Sequence, residues 1–193
     1  AGDMAEGQPR LAETITEIRG AGVRAGDLVR QILDFSQPRA AEWRPVDLAA
    51  VVEDAIKLLR PGLPASVVIE TRLARDAHVL ADPSQIHQVI TNLAVNAQHA
   101  MREGAGRLEV TLDVVVPGEA GQPEIAGLAR RPHARLRVQD TGHGMSPETA
   151  RRIFEPFFTT KRRGEGSGLG LAVVHGIVHR HGGAITVDSR PGS

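Results

Sequence analysis

Three groups of residues in this chain have types and spacings that suit the binding of a phosphate ester together with a divalent cation. Asn92 and Asn96 stand four residues apart in an apolar helical pattern, so both side chains lie on one face of the helix. Amide oxygens are hard, neutral ligands of the kind that Mg²⁺ accepts together with water and phosphate oxygens. An isolated pair of this kind is more often two solvent-facing asparagines, so the interpretation depends on the other groups.

The second group is the sequence D-T-G-H-G, which starts at Asp140. Asp140 ends a strand-like stretch over residues 134–140, and its carboxylate can accept a hydrogen bond from an exocyclic amine such as that of adenine. Gly142 and Gly144 lack side chains, so a flat base can lie against the backbone. By itself the motif is read more simply as an Asp-Thr-Gly turn.

The third group is a series of alternating glycines at positions 164, 166, 168 and 170 that leads directly into a helix. Free backbone N–H groups at a helix start form an anion site, and glycines let phosphate oxygens approach them. The series is not a P-loop, because it lacks Gly-Lys-Ser/Thr, and it does not meet the G-x-G-x-x-G dinucleotide spacing. It predicts a phosphate-binding turn of another type.

The segment over residues 154–163 lies between the two glycine groups and combines aromatic with basic residues. Such a segment, flanked by glycines, is a candidate lid over a phosphate ligand, in which Lys161 or Arg162 would neutralise the terminal phosphate. His99 shares the face of Asn96 and could meet phosphate, although a plain surface role is commoner. The histidines at 175, 179 and 181 do not predict a metal site, because no Glu accompanies them in the H-E-x-x-H manner.

The composition is that of a globular chain of 193 residues, with 41% hydrophobic and 24% charged residues. Lys plus Arg equals Asp plus Glu at 23 each, which argues against sequence-independent binding of nucleic acid. Cysteine is absent, so disulfides and thiolate metal sites are excluded. No run approaches the roughly 20 apolar residues of a membrane span. We expect a cytoplasmic fragment, whose parent protein could be membrane-anchored.

Hydrophobic spacing predicts a long helix over residues 9–35 with the 3.5-residue period of an intermolecular bundle, although packing on its own domain is the simpler alternative. Asp82 is predicted to cap a helix that runs to residue 103, with Gln85 completing a capping box. The other predicted helices cover residues 47–59 and 169–180, and a short one starts at residue 146. Strands are predicted over residues 67–73, 78–81, 108–116, 134–140 and 183–189. The order predicts an α+β two-layer sandwich.

Four motifs in order now resemble a known family. They are N-L-x-x-N-A-x-x-A from Asn92, D-x-G-x-G from Asp140, F-E-P-F-F-T-T-K over residues 154–161 and G-x-G-L-G-L over residues 166–171. They resemble the N, G1, F and G2 boxes of the catalytic ATP-binding domain of bacterial sensor histidine kinases, in the nitrogen-regulator and hybrid-kinase group. The resemblance implies the Bergerat, or GHKL-type, fold: a mixed, mostly antiparallel sheet with helices on one face, here preceded by a long N-terminal helix.

The resemblance also implies a domain organisation and a function. Residues 1–43 would be part of a dimerisation and phosphoacceptor hairpin, namely its second helix and a linker. Residues 44–193 would be the catalytic domain, without the last strand of the family. The γ-phosphoryl group of ATP would pass to a histidine on the dimerisation domain and then to a response-regulator aspartate. Implied partners are ATP or ADP, a second copy bound through the N-terminal helix, the phosphoacceptor helix and a receiver domain, but no nucleic acid.

The cofactors implied by the resemblance are ATP and Mg²⁺. Asn96 would coordinate the Mg²⁺ with help from Asn92, both acting with Lys161 in catalysis, and Asp140 would recognise the adenine amino group. The remaining residues of the implied nucleotide site are His99, Ala100, Gly142, Gly144, Met145, Thr160, Gly166, Ser167, Gly168, Leu169, Gly170 and Leu171.

Two alternatives remain open: a GHKL-type ATPase or clamp, and an interaction module that binds no nucleotide. In related ATPases a Glu four residues before the metal-binding Asn acts as general base for water. That position is Asn92 here, a poor base, which favours transfer to a histidine over hydrolysis. No histidine precedes His78, so this chain is not expected to phosphorylate itself.

Overall fold

The computed structural model describes residues 42–101, 105–119, 122, 124–161 and 166–192, together with Thr14, Ile15, Ile18, Arg19 and Gly22. Those five N-terminal residues are helical, and the rest of the helix predicted over residues 9–35 lies outside the described part. The chain divides into two compact units, residues 1–40 and residues 41–193. None of the helices in the described part is long and apolar enough to cross a bilayer.

The second unit contains five strands and four α-helices among its described residues. In chain order these are β1 (Arg44–Asp47), α1 (Leu48–Leu59), β2 (Val67–Leu73), β3 (His78–Ala81), α2 (Pro83–Ala100), β4 (Gly106–Val115), β5 (His133–Asp140), α3 (Pro147–Arg152) and α4 (Gly170–Arg180). A 3₁₀ turn over Arg60–Gly62 follows α1, because Pro61 cannot continue the helical ladder. Strand β1 is not among the strands that the sequence predicts.

The strands form two sheets. One has the order β2-β4-β5, with β2 parallel to β4 and β4 antiparallel to β5. The other pairs β1 antiparallel with β3. Two of these three strand pairings are therefore antiparallel, as a mixed, mostly antiparallel arrangement requires.

Alternation along β4 separates a core face from a polar face. Leu108, Val110 and Leu112 are buried, and they share one hydrophobic cluster with Ile90 of α2 and Val52 of α1. Residues at the alternate positions form ion pairs across the strands, which include Arg72 with Glu109 at 3.1 Å and Arg135 with Asp113. The predicted α+β two-layer sandwich is confirmed.

The strand predicted over residues 183–189 is wrong, because these residues form no strand. Their alternation is real, since Ile185 packs against the core while Val187 is exposed. The backbone is instead tied to the loop after β5. The Met145 N–H donates to Ser189 Oγ at 2.9 Å, and the Gly192 N–H donates to the His143 carbonyl at 2.8 Å. An alternating pattern cannot reveal whether a strand partner lies within reach.

Candidate functional site

Helix α2 starts at a well-defined position, which fixes where its asparagines lie. Asp82 Oδ1 accepts hydrogen bonds from the Ser84 N–H at 2.9 Å and from Ser84 Oγ at 2.7 Å, and Pro83 takes the first helical position. The predicted cap is confirmed. The capping box is not, because Gln85 Oε1 is buried without a hydrogen-bond partner in the described part of the chain.

Asn92 and Asn96 project from α2 towards two other segments. A Cβ built on Gly170 would lie 3.5 Å from Asn92 Oδ1, so Asn92 stands beside the first residue of α4. Lys161 Nζ donates to Asn96 Oδ1 at 3.3 Å. The last glycine of the series, Gly170, and Lys161, near the end of the predicted lid, thus both lie against one face of α2. Each is about 70 positions away in the chain from the asparagine that it meets.

The turn that follows Asp140 holds this residue near the C-terminal end of α2. Its Oδ1 accepts a hydrogen bond from the Gly142 N–H at 2.9 Å, and the His143 N–H donates to the Ala100 carbonyl at 3.1 Å. A Cβ on Gly142 would lie 2.4 Å from Ala100 Cβ, so only glycine fits there. The turn after β5 is therefore docked on the C-terminal end of α2, about one helical turn beyond Asn96.

The predicted lid and the glycine series are joined through the backbone. The Phe157 N–H donates to the Gly168 carbonyl at 3.0 Å, and a Cβ on Gly168 would lie 2.4 Å from the Phe157 carbonyl carbon. Both residues have positive φ, 67° for Phe157 and 68° for Gly168. Phe157 is a non-glycine residue in the left-handed region, which is a strained conformation that the surrounding contacts must maintain.

The start of α4 has the features expected of an anion site. Its N-cap, Leu169, is buried and provides no side-chain acceptor for the first N–H groups of the helix. Ser167 Oγ accepts the Leu169 N–H at 3.3 Å, and a Cβ on Gly166 would lie 2.9 Å from Lys161 Cδ. The Lys161 side chain therefore lies against Gly166, in the glycine turn that leads into α4.

The structure also describes four further residues of the predicted site. His99 Nδ1 lies 2.6 Å from the Val95 carbonyl of its own helix, and Gly144 has a φ of 63°. Thr160 is exposed, whereas Leu171 is half-buried. Arg162 and Gly164 lie outside the described residues. Their roles, like those of the whole predicted site, stay predictions.

Histidines of α4 form a separate cluster. The rings of His175 and His179 stack at a centroid distance of 5.8 Å, and Phe154 packs on His175 at 5.2 Å. The described residues contain no group of three or more His, Cys, Asp or Glu side chains that could hold a metal ion. An open cavity of about 320 Å³ lies beside both imidazoles, but none of the predicted nucleotide-binding residues lines it. The candidate site is therefore defined by converging polar groups and not by this cavity.

Residues 81–193 match the family described as Histidine kinase-, DNA gyrase B-, and HSP90-like ATPase. The chain belongs to this family. The match starts one residue before the cap of α2 and includes every residue of the candidate site. The predicted resemblance to histidine kinase catalytic domains is confirmed by the relatives described next.

Curated relatives extend the similarity to most of the chain. Sensor kinase CckA of Brucella abortus (strain 2308) is 37% identical over 179 residues, which are 92% of this chain and 19% of that protein. Sensor histidine kinase ZraS of Klebsiella oxytoca is 34% identical over 172 residues, which are 88% of this chain and 33% of that protein. The chain thus spans between about a fifth and a third of the length of these relatives.

Solved structures share the fold. The mycobacterial sensor histidine kinase MprB has a TM-score of 0.59 at 30% identity, over 74% of this chain and 82% of that chain. Full-length ShkA in complex with AMPPNP has a TM-score of 0.72 at 27% identity, over 94% of this chain and 36% of that chain.

Proposed function

We propose that this chain is the ATP-binding catalytic part of a two-component sensor histidine kinase. It transfers the γ-phosphoryl group of ATP to a histidine on a dimerisation domain, for relay to the aspartate of a response-regulator receiver domain. The observation that carries the proposal is the convergence on α2, where Lys161 contacts Asn96 at 3.3 Å and the start of α4 lies beside Asn92. The similarity to CckA and ZraS supports the same activity.

The donor set fits a magnesium nucleotide. Asn96 Oδ1 already accepts a hydrogen bond from a cationic group, Lys161 Nζ, so its surroundings tolerate positive charge at this oxygen. Asn96 would hold Mg²⁺, with Asn92 beside it, and the ion would neutralise phosphate charge. A related chain, ShkA, was solved with AMPPNP, an analogue of ATP.

The chain's own residues would position the nucleotide. Asp140, held by the turn docked on α2, would accept a hydrogen bond from the adenine amino group, with Gly142 leaving room for the base. The glycine turn and the first N–H groups of α4 would bind phosphate oxygens. Lys161 would exchange its contact with Asn96 for one with the terminal phosphate. Catalysis of this kind depends on position and charge neutralisation.

The residue at position 92 separates kinase from ATPase. An asparagine amide does not accept a proton from water at neutral pH, so the site lacks the general base that hydrolysis would use at that position. We therefore propose that transfer to histidine is favoured over transfer to water. Steady ATP hydrolysis well above background that depends on Asn92 would support the clamp or ATPase alternative instead.

The remaining parts of the proposal concern partners and location. We propose that residues 1–43 belong to a dimerisation hairpin, that two copies associate through it in the whole protein, and that the kinase acts in the cytoplasm. The decisive experiment uses ATP labelled at the γ-phosphate. A chain extended to include the first hairpin helix should acquire acid-labile label on histidine, whereas the 193-residue chain should not. Acid-stable label on the 193-residue chain would contradict the proposal.

Binding is tested separately by calorimetry with Mg²⁺ and AMPPNP. Saturable binding to the 193-residue chain is expected. Absence of binding would instead favour the interaction module that needs no nucleotide.

A further inference from the structure

Asp82 is the one buried charged side chain in the described part of the molecule, with 8% of its surface exposed. Burial acts to raise the pKa of its carboxyl, but hydrogen bonds from the hydroxyl and N–H of Ser84 and from the N–H groups of Glu42 and Gln85 outweigh burial and hold the pKa below its usual range. The ionised carboxylate therefore organises several segments at the N-terminal end of α2. None of them belongs to the candidate nucleotide site.

His181, the residue after α4, joins this end of α2 to the C-terminal end of α4. Its Nδ1 lies 2.8 Å from the Ile177 carbonyl, and since a carbonyl oxygen can only accept, Nδ1 carries the hydrogen. Nε2 then has a free electron pair and accepts a long hydrogen bond of 3.5 Å from the Asp82 N–H. His181 thus connects the C-terminal end of α4 to Asp82 at the N-terminal end of α2, a residue that lies 99 positions away in the chain.

The chain segment that enters the second unit closes the same cluster. The Trp43 ring lies 4.6 Å from the His181 ring at an angle of 45°, and the Glu42 N–H donates to Asp82 Oδ2 at 3.3 Å. Glu42, Trp43, Asp82 and His181 are called the clasp below. Within the clasp, the His181 ring contacts both the Asp82 N–H and the Trp43 ring.

The two helices that the clasp joins are the two that carry the candidate site. Helix α2 bears Asn92 and Asn96, and the first residue of α4 follows the glycine turn. Between clasp and site the helices pack through Val89, Val174 and Ile177, which are buried together. This packing holds the helices in contact, but smooth apolar surfaces permit small rotations and shifts. The hydrogen bond between Asp82, at the start of α2, and His181, at the end of α4, restricts these rotations and shifts.

We propose that His181 is a positioning residue of the nucleotide site, which acts through the clasp by fixing α4 relative to α2. The inference rests on the proposed function, because it assumes that a nucleotide binds between these helices. Fixing α4 sets where the glycine turn stands relative to Asn92 and Asn96. His181 does not touch the reacting groups, so its effect on the nucleotide is indirect.

The chain provides its own spectroscopic probe of the clasp. Trp43 is the single tryptophan and tyrosine is absent, so protein emission reports on the His181 neighbourhood alone. Asn96 lies fourteen residues beyond Asp82, which is about 20 Å along the helix axis, too far for Trp43 to contact the metal and phosphates directly. A change in Trp43 emission on addition of Mg-AMPPNP would therefore be transmitted through the helices.

The test compares His181→Ala, His181→Gln and the matched control His179→Ala, which replaces an exposed histidine of α4 that is not in the clasp. Calorimetry with Mg-AMPPNP gives affinity, Trp43 emission gives the transmitted signal, and thermal unfolding checks that each variant is folded. His181→Ala should weaken affinity about tenfold and abolish the nucleotide-dependent emission change. A glutamine side chain can donate to the Ile177 carbonyl and accept from the Asp82 N–H. His181→Gln should therefore retain the affinity and the emission change within about twofold. His179→Ala should behave like the unsubstituted chain.

Unchanged affinity in folded His181→Ala, loss of affinity that glutamine does not restore, or an unsubstituted chain that binds without an emission change would each overturn the inference. If His181→Ala does not fold, Trp43→Ala replaces it, because Trp43 is 44% exposed and its removal leaves no buried cavity. Trp43→Ala should then weaken affinity about threefold, and unchanged affinity would overturn the inference. If the unsubstituted chain binds no nucleotide, the proposed function itself fails, which is a separate outcome.

Discussion

Lys161 Nζ lies 3.3 Å from Asn96 Oδ1, which brings the end of the predicted lid onto the helix that carries the proposed metal ligand. The two residues are 65 positions apart in the chain. Lysine and metal ion would compete for the same amide oxygen, so binding of a magnesium nucleotide requires Lys161 to move to a new acceptor. Under the proposed function, the terminal phosphate of ATP would be that acceptor.

Replacement of Lys161 by methionine should therefore weaken the binding of ATP more than the binding of ADP. A charge-assisted hydrogen bond to phosphate is worth about 1.5–3 kcal/mol, so we expect affinity for Mg-AMPPNP to fall at least about tenfold. Affinity for Mg-ADP should change much less. Calorimetry with both ligands measures the difference. Lys57→Met is the matched control, because Lys57 is the only other lysine and forms an exposed pair with Asp54. Equal losses for the two ligands would show that Lys161 does not meet the terminal phosphate.

Asn96→Ala should remove the dependence of nucleotide binding on Mg²⁺. Its amide oxygen is the proposed protein ligand, so affinity measured with Mg²⁺ should fall to the value measured with EDTA. Thr91→Ala, an exposed position on the same helix, should keep the dependence. An Asn96→Ala variant that still gains affinity from Mg²⁺ would remove this residue from the metal site.

Asp140→Asn should reduce discrimination between adenine and guanine nucleotides. An amide at this position can donate as well as accept, so the preference for an exocyclic amine at the acceptor is lost. Competition between ATP and GTP analogues measures the ratio of affinities, and we expect that ratio to fall about tenfold or more. Asp188→Asn, at an exposed position, serves as the control. An unchanged ratio would show that Asp140 does not recognise the base.

Gly142→Ala should destabilise the fold and loosen the Asp140 turn together. The added Cβ would lie 2.4 Å from Ala100 Cβ and 2.8 Å from the Ala100 carbonyl carbon, so the turn must move off the end of α2. Overpacking of this kind costs about 1–3 kcal/mol. Urea unfolding measures the loss, and Gly62→Ala is the control because nothing lies within 4 Å of its added Cβ. Equal stability of the two variants would contradict the close contact.

The Asp82 carboxylate should stabilise the fold at neutral pH and cease to do so in acid. Its pKa in the folded state is lowered below 3.8, so ionisation favours folding above that value, and the contribution is lost as pH falls through the folded pKa. Asp82→Asn should cost about 1 kcal/mol at neutral pH, with a difference that shrinks below pH 3.8. Urea unfolding over a pH series checks this, with the exposed Asp54→Asn as control. A stability difference between the unsubstituted chain and Asp82→Asn that grows in acid would contradict a lowered pKa for Asp82.

How far the sequence predicts this molecule depends on whether local residues decide the outcome. Asp82, Pro83 and Ser84 are neighbours, so the start of α2 was predictable from them. The common face of Asn92 and Asn96 followed from helical periodicity alone. Gln85 was expected to complete the cap, but its buried oxygen has no hydrogen-bond partner among the residues that the structure describes.

Contacts between distant segments could not be predicted by pattern. Nothing in the residues around Trp43 or His181 indicates that their rings meet, because that contact depends on how α2, α4 and the entry segment pack. The strand predicted over residues 183–189 failed for the same reason. Its residues alternate as a strand would, but the Ser189 side chain accepts a hydrogen bond from Met145, and Gly192 just beyond the segment bonds to His143.

The hydrogen bond between Phe157 and Gly168 has a consequence for product release. With a Cβ excluded at Gly168, the two backbones are in contact, so residues 154–161 and the glycine turn are expected to open as one piece. Under the proposed function, ADP would leave when this piece swings away, and its dwell time would be governed by that single opening event. A turnover limited by departure of the spent nucleotide, and not by phosphoryl transfer, would be the kinetic mark of this coupling.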